Sequence, residues 1–296
     1  MKPVVLALPA NEPAAKRIAE AAGLELGKLE VHHFPDGETY VRVVSDIGGR
    51  SVILVCTLDR PDEKFLPLVF ACATARAHGA ARVGLVAPYL AYMRQDREFK
   101  PGEAVTSRVF AQALSANIDW LVTVDPHLHR THALEQIYSV PSRTVHAAPL
   151  LAAWIKANVP QPIVIGPDSE SEQWAASIAG DAGAPYVVLQ KTRRGDRDVT
   201  VSLPDLKQWR DRVPVLADDI ISSGRTMIEA TAQLLKASMK APVCVAIHAV
   251  FAAGALNGLR RAGAGQIVST NTIAHETNGI NVTPLLVPAI GELANA

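Results

Sequence analysis

Asp218 and Asp219 stand side by side at the end of the apolar run Val213–Ala217, and Ser222, Ser223, Gly224, Arg225 and Thr226 follow directly after Ile220 and Ile221. Adjacent carboxylates accept hydrogen bonds from a diol or hold a divalent ion. Small and hydroxylated residues at a helix start let backbone N–H groups close on a phosphate dianion, where the helix dipole favours negative charge. The apolar run is short enough for a buried parallel strand, and beyond Thr226 the period turns helical, through Ile228, Ala232, Leu235 and Met239. An ordinary strand–loop–helix corner with a Ser/Thr cap would explain the loop. Apolar strand, paired acids, small-residue loop and amphipathic helix in this order are instead what a site for a phosphorylated sugar requires.

The segment PVLADDIISSGRTMIEA resembles the phosphoribosyl-diphosphate binding motif of the type I phosphoribosyltransferase fold, which also occurs in the ribose-phosphate diphosphokinases, or phosphoribosyl-diphosphate synthetases. Its SSGRT loop departs from the DTAGT form of the commonest synthetases and is nearer the STGGT form of the archaeal-type class. Arg225 replaces a glycine there, so its side chain must point away from the phosphate or help to bind it.

Segments of the first half separate synthetase from transferase. After the strand-like run Arg82–Ala87, a loop carries Arg94, Gln95, Asp96 and Arg97 before a helix near Ser107. Arginine offers a planar fork that stacks on a base and pairs with phosphate, while Gln95 and Asp96 can contact ribose or adenine. A solvated charged loop is the plain alternative. In HHFPDGETYVRV, Phe34 offers an aromatic face for adenine, and Asp36 and Glu38 can accept from an adenine amino group or ribose hydroxyls. Pro35–Asp36–Gly37 is also good turn chemistry, which does not exclude that role. In WLVTVDPHLHRTH, a carboxylate and an imidazole, Asp125 and His127, end a buried strand; they can coordinate Mg2+ with nucleotide phosphates, or the histidine alone can donate to a phosphate oxygen. His129 and His132 read as surface or core residues, and a zinc site lacks both geometry and a Cys partner.

Both RQDR and FPDGE resemble synthetase segments, and the resemblance implies that Phe34, Asp36, Glu38, Arg94, Gln95 and Asp96 bind ATP, with the FPDGE residues completing the site of a neighbouring subunit. It assigns His127 to Mg-ATP and Asp168, in IVIGPDSESEQWAASIA, to a magnesium ion. There the family places two glycines after the Pro-Asp pair; Ser169, Glu170, Ser171 and Glu172 stand here instead, which makes close backbone approach to a diphosphate less secure and adds negative charge. The run LQKTRRGDRDVTV reads as a hairpin with a cationic tip. The family has a catalytic loop with Lys and Arg two residues apart at this place, so the resemblance gives Lys191 and Arg193 the catalytic role, with Arg194 in support. A Thr-Asn-Thr strand end near Ile273 extends the likeness over almost the whole chain.

Composition agrees with that frame. At 296 residues and 49% hydrophobic content the chain can bury two ordinary α/β cores. Lys plus Arg equals Asp plus Glu at 29 each, so no net field favours nucleic acid or an anionic membrane. Cys56, Cys72 and Cys244 lie in or beside apolar runs without metal spacing, as buried residues of a reducing compartment do. MKPVVLALPANEP reads as a first strand and not a signal, no apolar stretch would span a bilayer, and a cytoplasmic location is expected.

Short β-type runs alternate with helical ones: strands at Val4–Leu8, Ser51–Cys56, Arg82–Ala87, Trp120–Val124, Pro162–Ile165, Tyr186–Leu189, Val213–Ala217, Pro242–Val250 and Gln266–Thr270, with helices between them. SVILVC, a helix and ARVGLVAPYL in the first half echo VPVLAD, a helix and APVCVAIHAV in the second. The expected fold is two doubly wound parallel-sheet domains of the type I phosphoribosyltransferase kind, related by pseudo-duplication. The connection around Tyr138 to Ala148 is the least strand-like, which places a domain of residues 1–145 that binds ATP before one of 146–296 that binds ribose phosphate. The expected activity is ribose-phosphate diphosphokinase, with ATP and ribose 5-phosphate as substrates, Mg2+ as cofactor and a homo-oligomer sharing its ATP site between subunits. A non-catalytic regulatory homologue and a nucleobase phosphoribosyltransferase are the alternatives.

Overall fold

The computed structural model describes residues 1–128, 133–167, 171–194, 198–202 and 206–295. The chain separates into two compact units, Met1–His146 with Thr283–Ala296, and Ala147–Val282.

In the first unit the runs rich in Val, Ile and Leu become strands buried on both faces, as parallel sheets demand. They are β1 (Val4–Ala7), followed by α1 (Glu12–Ala22) and β2 (Glu25–Leu26); then, after an antiparallel hairpin of β3 (Leu29–His33) and β4 (Thr39–Val43), come β5 (Ser51–Val55), α2 (Pro61–Ala77), β6 (Arg82–Ala87), α3 (Thr106–Ser115), β7 (Trp120–Val124) and β8 (Ser142–Val145). The sheet runs β2-β1-β5-β6-β7-β8, with every pairing parallel. Gly84 in β6 is required by packing: a Cβ there would lie 1.9 Å from the ring of the fully buried Trp120 on β7.

The second unit holds α4 (Ala148–Asn158), β9 (Pro162–Gly166), α5 (Glu172–Ala182), β10 (Tyr186–Val188), the hairpin β11 (Gln190–Arg194) and β12 (Asp198–Ser202), β13 (Val213–Ile220), α6 (Arg225–Lys236), β14 (Val243–His248), α7 (Ala255–Arg261), β15 (Gln266–Thr270) and β16 (Asn278–Ile280). Its sheet runs β10-β9-β13-β14-β15-β16, again all parallel. With the six sheet strands of each unit numbered along the chain, both orders are 2-1-3-4-5-6, and each unit inserts its hairpin between its second and third sheet strand. The echo between SVILVC and VPVLAD is thus an echo between equivalent strands, β5 and β13.

Two expectations are corrected. The connection at Tyr138–Ala148 contains β8, which pairs with β7 from Leu121↔Ser142 to Val124↔Val145. Its sequence, Ser-Arg-Thr-Val, lacks an apolar face because it is an edge strand, held by backbone bonds more than by burial. The division into 1–145 and 146–296 also fails at the C-terminus. There α8 (Thr283–Ala294) belongs to the first unit, where it packs on α1, β7 and β8 and buries Leu286, Ala289, Ile290 and Leu293. Arg82 donates to the Leu293 carbonyl at 3.1 Å, and Arg143 pairs with Glu292 at 3.2 Å.

Candidate active site

In doubly wound sheets ligands bind beyond the carboxyl ends of the strands, where the order reverses. In the second unit that point lies between β9 and β13. Strand β13 runs three residues further than Ala217, so Asp218 and Asp219 lie within it, half-buried and followed by the buried Ile220, with Asp218 paired in register to Ala246 of β14. Asp219 N–H donates to Asp218 Oδ1 at 3.0 Å, which fixes one carboxylate against the backbone of the other.

Beyond the acids, Gly224 takes the left-handed conformation (φ 69°) as N-cap of α6, a geometry that a side chain would strain. Its carbonyl accepts from Ile228 N–H at 2.8 Å, while Arg225, Thr226 and Met227 form the first helical turn with their N–H groups at the positive end of the dipole. Arg225 is exposed and Thr226 half-buried. The five residues from Ser222 to Thr226 therefore form one continuous loop and helix start, separated from the paired acids by Ile220 and Ile221.

Asp168, the remaining acid expected in this unit, lies outside the described residues, as do Ser169 and Glu170. Lys191 and Arg193 fall within β11, opposite Val201 and Val199, rather than at a hairpin tip. The strand pairing confirms the hairpin, and residues 195–197 at its turn are not described.

The first unit holds its candidate residues at three places. At the tip of the β3–β4 hairpin, Phe34 N–H donates to Glu38 O at 2.8 Å and Gly37 N–H to Phe34 O at 2.9 Å, while Glu38 N–H bonds Asp36 Oδ1 at 3.1 Å. The turn reading is correct and does not bury Phe34, which stays 46% exposed. Two edge contacts hold its ring, with centroids 5.5 Å from His32 and 6.2 Å from Tyr40; those two rings are cross-strand partners stacked at 4.3 Å. An aromatic face is thus presented on a rigid ribbon at little entropic cost.

After β6, Leu90, Ala91 and Met93 are buried and anchor the loop, which leaves Arg94 exposed and Gln95 and Asp96 half-buried. Gln95 ties the loop to α3: its carbonyl accepts from Ser107 N–H and its side-chain oxygen from the Thr106 hydroxyl, both at 3.2 Å. Arg97 lies over the Phe99 ring at 4.8 Å.

At the end of β7, Asp125 (φ 34°) and His127 (φ 47°) both adopt positive φ, rare for non-glycine residues and a strain that clusters at functional sites. His127 N–H donates to Asp125 O at 2.8 Å, closing a tight turn around Pro126. Sequence reasoning missed His146, whose Nδ1 lies 2.8 Å from Asp125 Oδ1. That hydrogen bond raises the His146 pKa, against a smaller opposing effect of burial. The signal was its place one residue beyond a strand that the sequence does not announce. His129 and His132 lie outside the described residues.

A doubly wound parallel sheet built twice in one chain, its second copy carrying tandem carboxylates and a glycine-capped loop at the switch point, is the architecture of the type I phosphoribosyltransferase class. Residues 3–117 match the family described as the N-terminal domain of ribose phosphate pyrophosphokinase, and residues 133–284 match the phosphoribosyl transferase domain. The chain is 34% identical to a ribose-phosphate pyrophosphokinase of Methanopyrus kandleri, over 98% of this chain and 99% of that one. It is 35% identical to one of Saccharolobus solfataricus, over 86% of this chain and 88% of the relative. A crystal structure of phosphoribosylpyrophosphate synthetase from Mycobacterium smegmatis shares the fold, with a TM-score of 0.87 at 22% identity, covering 100% of this chain and 99% of that one. The chain belongs to the ribose-phosphate pyrophosphokinase family, a family of diphosphotransferases.

Proposed function

We propose that the protein transfers the β,γ-diphosphoryl group of Mg-ATP to the anomeric hydroxyl of ribose 5-phosphate, giving 5-phosphoribosyl 1-diphosphate and AMP. The observation that carries this reading is the second unit's cradle: tandem carboxylates near the end of β13, followed after Ile220 and Ile221 by the loop and glycine-capped start of α6. Asp218 and Asp219 accept hydrogen bonds from the ribose hydroxyls, and Ser222 through Thr226 bind the 5-phosphate through backbone N–H groups. Phe34 stacks on adenine, Asp36 and Glu38 accept from its amino group or from ribose hydroxyls, and Arg94, Gln95 and Asp96 complete the ATP contacts.

Magnesium arrives with ATP and neutralises charge on its phosphates. It takes oxygen ligands, so of the two residues assigned to it Asp168 suits direct coordination. His127, a nitrogen donor on a strained turn, suits the ion's water shell or a phosphate oxygen. Lys191 and Arg193 stabilise the charge that spreads over the β-phosphoryl group in transfer. The anomeric oxygen attacks the β-phosphorus as the bond to the α-phosphate oxygen breaks, and AMP leaves. Positioning and electrostatics carry such a reaction without a covalent enzyme intermediate.

The family likeness of FPDGE supports a homo-oligomer in which that hairpin completes a neighbour's ATP site. A cytoplasmic location agrees with the ATP requirement and with Cys56, Cys72 and Cys244, which are free and buried. Among the described residues no helix is long and apolar enough to cross a membrane.

The test is incubation with ribose 5-phosphate and Mg-ATP in the absence of any nucleobase. AMP and 5-phosphoribosyl 1-diphosphate are expected to appear in equal amounts. No AMP would overturn the reading, and consumption of 5-phosphoribosyl 1-diphosphate on adding a nucleobase would replace it with a transferase.

A further inference from the structure

His248, Thr270 and Thr272 are buried at the carboxyl ends of β14 and β15, each exposed by 1% or less, and the chemistry above gives them no part. Burying three polar side chains together is costly unless their bonds are made. The Thr270 hydroxyl lies 2.7 Å from Ile247 O and the Thr272 hydroxyl 3.1 Å from the same carbonyl, and the two hydroxyls are 3.2 Å apart. Thr272 Oγ1 also lies 2.9 Å from Nδ1 of His248, a hydrogen bond that holds the orientation of the buried ring. Thr272 N–H in turn bonds Thr270 Oγ1 at 3.3 Å. The Thr-Asn-Thr strand end thereby clamps the last two residues of β14.

Those two residues lead into the backbone on which the ribose-phosphate loop rests. Ile221 N–H donates to His248 O at 3.1 Å, Phe251 N–H to Ile221 O at 2.8 Å, and Ala252 N–H to Ser222 O at 2.9 Å. Ile220 pairs with His248 in register. Phe251, at φ 26°, is strained and is stacked on His275 with ring centroids 4.5 Å apart. The path from Thr272 through His248 to Ser222 is made of hydrogen bonds within one unit.

We infer that Thr272 and His248 are positioning residues for the sugar phosphate, fixing the end of β14 so that residues 220–222 enter the phosphate-binding loop in one geometry. This deepens the proposed function and rests on its reading of Ser222–Thr226 as the 5-phosphate site. Neither residue is given contact with substrate.

Thr272→Val keeps the shape and removes the hydroxyl; Thr272→Ser returns it. With the loop loosened, Thr272→Val is expected to raise KM for ribose 5-phosphate about tenfold while KM for ATP stays within about twofold, and Thr272→Ser to restore both. A general loss of stability would move both constants or neither. If Thr272→Val does not fold, His248→Phe, which keeps a ring and removes the Nδ1 contact, carries the same one-sided expectation at a severalfold level. Unchanged ribose 5-phosphate KM, or equal rises for both substrates, would overturn the inference. Gly224→Ala is measured alongside: if it too leaves ribose 5-phosphate binding untouched, the cradle reading itself fails. If only Gly224→Ala weakens binding, the positioning role alone is lost.

Discussion

In the first unit the turn from β5 into α2 is filled by its own side chains, whereas the equivalent turn from β13 into α6 in the second unit is made of small residues anchored by their backbone. Between β1 and β5, Asn11 is buried and its Oδ1 accepts from Thr57 N–H at 2.7 Å, while Thr57 Oγ1 accepts from Tyr89 N–H at 3.1 Å. Lys64 reaches back from α2 to donate to Thr57 O at 3.0 Å and to pair with Asp59. Asparagine, threonine and lysine side chains therefore occupy the switch point. In the second unit Ser222, Ser223 and Gly224 hold that place, and the Ser222 carbonyl accepts from Ala252 N–H at 2.9 Å, as the preceding Ile221 carbonyl does from Phe251 N–H at 2.8 Å. One topology serves two ends: the proposed phosphate cradle falls in the copy whose turn carries small side chains.

The inserted hairpins differ in the same sense. In the first unit the hairpin carries an aromatic tip, and in the second it carries Lys191 and Arg193. A planar apolar face suits a base and cations suit transferring phosphates, so the proposed function gives nucleotide recognition to one copy and charge stabilisation to the other.

The sharpest way to break this comparison is Lys191→Ala. Losing a preorganised cation at the transferring group is expected to cut kcat by about 100-fold or more, with ribose 5-phosphate affinity retained by equilibrium binding; normal turnover would remove the second hairpin from the mechanism. Phe34→Ala should raise KM for ATP about tenfold through lost base stacking and leave KM for ribose 5-phosphate alone. Because Phe34 is largely exposed, its thermal midpoint should hardly move. Lys64→Ala removes the bonds that close the first unit's turn and should cost about 1–2 kcal/mol in urea titration, with ribose 5-phosphate binding unaffected. A fully stable variant would mean that the turn is not held by its filling.

The smallest expected effect is at His146. Its folded pKa is raised by Asp125, so the bond's contribution to stability is complete below the unfolded value near 6.5 and fades as pH rises through the higher folded value. Asp125→Asn should lower the His146 titration midpoint followed by NMR and flatten that dependence. An unchanged midpoint would show that the pair does not form in solution.

Much of this arrangement was legible in the chain. Val, Ile and Leu runs announced the central strands, because a strand buried on both faces must be apolar throughout; Arg82–Ala87, Trp120–Val124 and Gln266–Thr270 fall where the periodicity puts them. The order of acids, small residues and helix located the cradle, since those are local requirements of a strand-to-helix turn. Edge elements were hidden for the opposite reason. Strand β8 and the two-residue β2 pair mainly through backbone, which any side chain permits, and α8 is apolar without saying which sheet it will cover.

By itself, then, the sequence determined two doubly wound sheets and the small-residue loop between β13 and α6. Only the tertiary structure decided that α8 returns to the first unit, that Asn11 and Lys64 close the first copy of the turn, and that His146 meets Asp125 and Thr272 meets His248. Local patterns record what one segment needs from solvent and core. Contacts between distant residues depend on which surfaces remain once every segment has been packed.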